Sequence, residues 1–278
     1  MKMISMKDAI KLIHDGDTLA LGGNVLHRAP MAAVRELVRN KVSHLKIVKT
    51  AGAHDIDVLC AAGAVQSVDA GFVSYETKFG LANHYRKAVQ SGEVKANEHA
   101  CYTVICALRA ATMNVPFMPV HGLNTGDLLV ENDYFIVVED PFTGVPVTLV
   151  KSIVPDVAII HVQECDEKGN AIIKGPKFED VLISRAAKKV IITTEQIVSE
   201  NKFRFANEEI DIPGFLVDAV VHAPKGASPG ACFSKYDVEE KMLESFLSMK
   251  SSEELSSYLA QYEKQDNATN GRKLGHKW

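Results

Sequence analysis

The sequence predicts an α/β fold, an open mixed or parallel sheet with flanking helices. Short apolar runs alternate with amphipathic helical patterns along most of the chain. The stretch from Thr18 to Leu37 reads as a strand that breaks on Gly22-Gly23 and restarts as a helix led by Pro30, a residue suited to a first turn where a missing N–H costs nothing. The continuous apolar run Val157-Ala-Ile-Ile-His161 is of the kind buried on both faces of a parallel sheet.

Ser5-Met-Lys-Asp8 resembles a capping box and opens an amphipathic helix that Gly16 stops before the Thr18 strand. After the Pro30 helix the pattern predicts a strand at Leu45 to Val48, a helix near residues 56–62 ended by Gly63, and a strand near residues 68–73. A helix over about 81–90, a short strand around Val94, a helix over about 102–112 and a strand over Asn114 to Pro119 follow. From Gly122 to Pro146 turn residues and short apolar pieces suit an excursion over the sheet. Alternation resumes with the Val157 strand, a Gly169-Asn170 turn, a helix over 178–188, and strands at Val190 to Thr193 and Val217 to Val221. Helices over about 238–249 and 253–261 precede a polar tail, loose from Asp266 onward. No Gly/Ser/Pro-rich linker divides the chain, so residues 1–263 are expected to form one domain and 264–278 the tail.

The 278 residues, 46% hydrophobic, can bury one large core or two modest ones. No run approaches the roughly 18 apolar residues a bilayer span needs, and the N-terminus becomes charged too soon for a signal peptide. Cys60, Cys101, Cys106, Cys165 and Cys232 form no CxxC pair, which suggests neither a disulfide framework nor a zinc knuckle. A cytoplasmic location and no resident metal are therefore expected. A net charge of −4 without a basic stripe argues against nucleic acid as the main partner, and no membrane partner is expected.

The usual catalytic templates are absent: there is no Gly-x-Ser-x-Gly elbow, no HExxH and no P-loop ending. His14, His161 and His222 read as structural, because no second ligating residue stands at metal-ligand spacing. Four loops where strands run out remain as candidates, since ligands of open α/β sheets bind outside the carboxyl ends of strands. They are 22–30, 74–80, 97–102 and 119–126. Gly22-Gly23 admits a ligand or a second backbone, and free N–H groups of that loop can hold negative charge. Arg28 can pair with a substrate carboxylate or serve a surface ion pair. Glu76 can act as base or nucleophile, or be a solvated charge or cap. At a helix start Cys101 can have a lowered pKa and act as a nucleophile, or be a small filler beside Cys106.

Several blocks in one order resemble the alpha (A) subunits of family I coenzyme A transferases. They include Leu19-Ala-Leu-Gly-Gly23 with Arg28-Ala-Pro30, Arg86 to Gly92, Val115-Pro-Phe-Met-Pro119, Asp156 to Gln163, and Lys177-Phe-Glu-Asp-Val181. Ile212-Pro-Gly214, Val217 to Pro224 and Gly226 to Tyr236 complete the likeness. The resemblance implies a sheet core of the ribose-5-phosphate-isomerase and CoA-transferase type. It also implies covalent transfer through an acyl-glutamyl anhydride and a glutamyl-CoA thioester, with the nucleophilic glutamate on a beta subunit. This chain would then supply half of the site: Gly22, Gly23, Asn24, Arg28, Glu76 and Cys101 around the thioester oxygen and acyl group.

The resemblance further implies a hetero-oligomer such as α2β2 or α4β4, acyl-CoA and a small carboxylic acid as substrates, and no permanently bound cofactor, coenzyme A thioester being substrate. Transferases of this kind tend to carry glutamine where Cys101 stands. In the related ring-opening hydrolases of steroid catabolism an acidic residue takes that place, so a CoA-thioester hydrolase subunit is the alternative. A sugar-phosphate isomerase or effector module on the same sheet would call for a phosphate-binding loop and a basic residue, which the sequence does not offer clearly.

Overall fold

Eleven strands form two sheets among the residues described by the computed structural model, which are 2–123, 127–205, 209–249 and 252–267. β1 (Thr18–Leu21), β2 (Leu45–Gly52), β3 (Val65–Val73) and β4 (Lys95–Glu98) run parallel to one another. The chain then builds a small antiparallel sheet from β5 (Phe117–Val120), β6 (Phe135–Glu139) and β7 (Pro146–Lys151), in the order β5-β7-β6. It returns through β8 (Val157–Asp166), β9 (Ala171–Ile172), β10 (Lys189–Val198) and β11 (Ala219–His222). The main sheet has the order β11-β10-β8-β1-β2-β3-β4, with every neighbour parallel, and β9 pairs antiparallel with the far end of β8.

The helices are α1 (Met6–Ile10), α2 (Met31–Arg39), α3 (His54–Ala61), α4 (Glu76–Phe79), α5 (Asn83–Gln90), α6 (Cys101–Thr112), α7 (Leu128–Glu131), α8 (Asp180–Ala186), α9 (Glu200–Phe205), α10 (Glu240–Leu247) and α11 (Ser252–Asn267). None of those described is long and apolar enough to cross a membrane. Side chains alternate across a strand, and this sorts the core into two layers. Leu19, Leu21, Ile47, Ile159 and Ile191 pack with α1, α2 and α3 on one face. Ala20, Val48, Ala158, Ile160 and Ile192 pack with α6, α8 and the second sheet on the other. All ten residues of β8 are buried, as expected for a strand covered on both faces.

Local signals explain the element boundaries. Ser5 Oγ accepts the Asp8 N–H at 3.1 Å and donates to Asp8 Oδ2 at 2.7 Å, so the expected capping box forms. Pro30 is the residue immediately before α2.

Two expectations change. The segment read as a turn-rich excursion supplies β6 and the start of β7; its strands are short and carry Pro119 and Pro146, so they lack the periodic signal of a central strand. The tail expected to be loose from Asp266 is helical through Asn267, and Asp266 is buried, because Arg35 and Arg39 both bind its carboxylate. Residues 268–278 of that expected tail lie outside the described residues, as do residues 124–126 of the fourth candidate loop.

Candidate functional site at the carboxyl edge of the parallel sheet

β1 ends at Leu21, and the chain turns through a loop whose backbone is left-handed at Gly23 (φ 71°), Val25 (φ 48°) and Arg28 (φ 56°). A β-branched and a long side chain at positive φ carry strain that persists only where surroundings impose it. Here the surroundings are buried charges. Lys49 Nζ donates to the Gly22 carbonyl at 2.9 Å, and the Gly23 N–H donates to Asp180 Oδ1 at 2.7 Å. Both bonds fall on the single peptide group joining the two glycines. Each clamping charge has its own counter-ion, Lys49 with Asp55 at 2.5 Å and Asp180 with Arg28 at 2.5 Å. All four side chains are at most 3% exposed, and a pairing of this kind is what allows charge to be buried at all.

Strand alternation explains how one short segment serves two layers. Lys49 and Thr50 are adjacent on β2 and point to opposite faces. Lys49 reaches Asp55 in the second residue of α3, whose carboxylate also accepts the Ala53 and Ile56 N–H groups. Thr50 Oγ1 donates to Glu179 Oε2 at 2.7 Å, just before α8, while its carbonyl accepts from Cys101 Sγ at 3.3 Å, at the start of α6. Gly71 on β3 passes so close to that start that an added Cβ would lie 2.4 Å from the Cys101 nitrogen and 2.5 Å from its sulfur.

The structure thus brings Gly22, Gly23 and Cys101 to one edge, where Thr50 links the strand end to Cys101. Asn24 lies half-buried in the same loop, bridging to His27. Glu76 is exposed at φ 63° in the turn after β3; Leu26 packs with the neighbouring Tyr75, so this turn abuts the glycine loop. The loop after β5 follows a strand of the second sheet and does not belong to the carboxyl edge of the main one.

Three sequence expectations are corrected by this geometry. Arg28 is neither a surface residue nor aimed at a substrate carboxylate: its guanidinium is 2% exposed and binds Asp180, the His161 carbonyl at 3.1 Å and the Pro176 carbonyl at 2.6 Å. The glycine loop's N–H groups are not free for an outside anion. Gly22 donates to Ile159, Gly23 to Asp180, Asn24 to His27 and Val25 to Ala51, so the anion held there is the chain's own Asp180. Cys101 does not have a lowered pKa; burial pushes its thiol up, and the Glu179 charge adds to the effect. The carboxylate outweighs the helix start as an influence on that thiol.

Lys49, Asp55, Thr50, Glu179 and Asp180 were missed by sequence reading. A lysine inside the otherwise apolar Leu45-Lys-Ile-Val-Lys-Thr-Ala-Gly52 run is the one signal that could have marked Lys49. Glu179 and Asp180 lie about 130 residues along the chain, and no local pattern ties them to the loop.

His161, Glu195 and Cys232 also come together, with ligand atoms within 4.8 Å of one another. Both His161 ring nitrogens already have partners, Thr193 Oγ1 at 2.9 Å and Glu195 Oε1 at 2.8 Å. Glu195 also accepts from Tyr236 at 2.5 Å and from the Lys225 N–H at 2.8 Å. Burial pushes the Glu195 carboxyl up, but these donors prevail and hold it below its usual range, while burial pushes the Cys232 thiol up to about 12. The group reads as a hydrogen-bonded support behind Arg28, and His161 is structural, as expected.

Residues 3–223 match the family described as Coenzyme A transferase. Over 259 residues the chain is 34% identical to the alpha (A) subunit of glutaconate CoA-transferase from Acidaminococcus fermentans, covering 87% of this chain and 81% of that protein. It is 32% identical to the cholesterol ring-cleaving hydrolase IpdA subunit of Rhodococcus jostii, covering 86% and 84%. A protein of Archaeoglobus fulgidus is 37% identical over 91% of this chain, which spans 57% of that protein's length. The crystal structure of glutaconate coenzyme A-transferase from Acidaminococcus fermentans superposes with a TM-score of 0.91 at 32% identity, covering 99% of this chain and 93% of that one.

Proposed function

The chain belongs to the coenzyme A transferase family, and we propose that it is the alpha subunit of a two-subunit acyl-CoA:carboxylate CoA-transferase. The observation that supports this most directly is the full-length likeness to one chain of glutaconate CoA-transferase, coupled with a carboxyl edge where the glycine loop, Thr50 and the start of α6 converge. The nucleophilic glutamate belongs to a beta subunit. It attacks the acyl-CoA carbonyl, expels CoA as thiolate and forms an acyl-glutamyl anhydride; the thiolate then displaces the carboxylate to give glutamyl-CoA, which passes CoA to a small acid.

This chain supplies the opposing wall. Ala100, the residue before α6, gives the helix no side-chain cap, so the first-turn N–H groups beside Cys101 are the donors for the thioester oxygen. Gly22 and Gly23, clamped from both sides, shape the floor, with Asn24 and Glu76 at the rim of the acyl site. Arg28 acts on this site through Asp180 and is a positioning residue. The assembly is a hetero-oligomer such as α2β2 or α4β4, cytoplasmic, with coenzyme A as substrate.

A hydrolase reading is favoured by one observation, the 32% identity to a ring-cleaving hydrolase subunit. Turnover of acetyl-CoA with a panel of acids, by the chain alone and with the beta-type subunit, separates these readings. Transfer that requires both chains is expected. Robust transfer by this chain alone rules out the half-site, and free acid released without transfer favours hydrolysis.

A further inference from the structure

Three carboxylates stand at the carboxyl edge, and two of them are matched by buried cations: Asp180 by Arg28 and Asp55 by Lys49. Glu179 is different. Among the described residues no ion pair joins it, and its side chain takes its hydrogen bond from a neutral group, Thr50 Oγ1. It is half-buried, so it reaches solvent, and it lies near enough to Cys101 for its charge to push that thiol up. The residue beside it, Asp180, is fixed to the glycine loop, and Thr50 is fixed to the start of α6. Glu179 is therefore a positioned carboxylate without a counter-ion, next to the place proposed for the thioester.

A carboxylate opposes negative charge that develops on a thioester oxygen, so oxyanion stabilisation is not a task it can perform. Transfer through a glutamyl anhydride needs no proton acceptor in this chain. Proton removal does need one. We propose that Glu179 is a general base that removes a proton from the carbon next to the thioester carbonyl of bound acyl-CoA, a step that rests on the reading that acyl-CoA binds at this edge. The C–H bond breaks and its proton goes to the carboxylate, which becomes a neutral acid. The C–H electron pair forms a carbon–carbon double bond, and the carbonyl π pair moves to oxygen as an enolate, facing the first turn of α6. Reversal returns a proton to carbon, and in D2O it returns a deuteron once the acid proton has exchanged with solvent.

The test is deuterium incorporation into butyryl-CoA and glutaryl-CoA in D2O, followed by proton NMR, with the full chain together with its beta-type subunit. Exchange next to the carbonyl is expected, slowed about a hundredfold or more in Glu179→Gln, since a positioned general base typically contributes roughly 10²–10⁴-fold. Glu179→Ala should recover exchange when formate or acetate is added, an effect that a purely structural role for Glu179 cannot produce. Wild-type complex that binds these thioesters by calorimetry but shows no exchange overturns the base and leaves the thioester site standing. Exchange that persists in Glu179→Gln, or an Ala variant that formate and acetate leave inert, also overturns it. Failure to bind either thioester removes the underlying site as well.

Discussion

Lys49 and Asp180 hold opposite ends of one peptide group: the lysine takes the Gly22 carbonyl at 2.9 Å and the aspartate takes the Gly23 N–H at 2.7 Å. The two come from opposite layers of the sheet, and each is neutralised by a second buried charge. The glycine turn is thus locked by four charges that cancel in pairs.

Removing one member of such a pair leaves its partner buried and uncompensated. Asp180→Ala and Lys49→Met are each expected to lower unfolding free energy by about 3–5 kcal/mol, measured by urea denaturation. Arg28→Lys should also destabilise, because an ammonium cannot serve Asp180 and two carbonyls with the geometry of a guanidinium fork. A change confined to the KM of one acid, with stability intact, would restore a substrate-facing Arg28.

Gly23→Val should fail by unfolding or loop rearrangement and not by blocking turnover alone. Its φ is 71°, and an added Cβ would lie 2.3 Å from the His27 carbonyl oxygen and 2.5 Å from the Arg28 carbonyl carbon. Circular dichroism and a thermal melt of the variant decide; a native melt with no turnover would return Gly23 to a role at the partner interface.

Cys101→Ala is expected to cost less than about tenfold in kcat, because losing a true oxyanion donor typically costs roughly a hundredfold or more. Its raised pKa should make iodoacetamide labelling at neutral pH slower than that of an ordinary exposed cysteine. Rapid, substrate-protected labelling together with a dead Ala variant would make the thiol a nucleophile.

A buried relay behind the Glu76 turn sets an acid-range stability profile. Tyr258 donates to His54 Nε2 at 2.8 Å, His54 Nδ1 meets the Tyr75 hydroxyl at 2.9 Å, and Tyr75 donates to Asp57 at 3.1 Å. Burial lowers His54 from 6.5 to about 3, so its stabilisation is complete above pH 6.5 and is lost as pH falls toward 3. Burial raises Asp57 from 3.8 to about 6, so its stabilisation is complete below pH 3.8 and is lost as pH rises through 6. The two slopes oppose each other between those values. Asp57→Asn should therefore make stability rise more steeply with pH from about 4 to 6 than in the wild type, by up to about 1.4 kcal/mol per pH unit. Parallel profiles from denaturation at several pH values would refute the relay's opposing titrations.

Truncation after residue 263 should be strongly destabilising even though the removed segment is polar. Arg35 is fully buried, makes a two-point contact with Asp266 at 2.8 and 2.9 Å, and stacks 3.9 Å from the Tyr262 ring. Asp266→Ala alone is expected to cost about 3–5 kcal/mol. A melting temperature unchanged from wild type would show the helix end to be dispensable.

Periodicity by itself determined the parallel sheet and the strand–glycine–helix junction at residues 18–37, because a strand buried on both faces must be apolar throughout and a helix start has local chemistry. The second sheet was not legible, since its short strands are half-exposed and carry proline. Gly22, Gly23 and Cys101 stood out as residues with unusual local roles, and the fold does bring them to one edge. What they touch was decided only by tertiary structure. Lys49, Asp180 and Glu179 meet the glycine loop and the start of α6 through strand order and alternation, which join positions far apart in the chain. Whether a polar group faces a substrate or another residue depends on which partners reach it first, and for Arg28 and the Gly23 N–H that partner is Asp180.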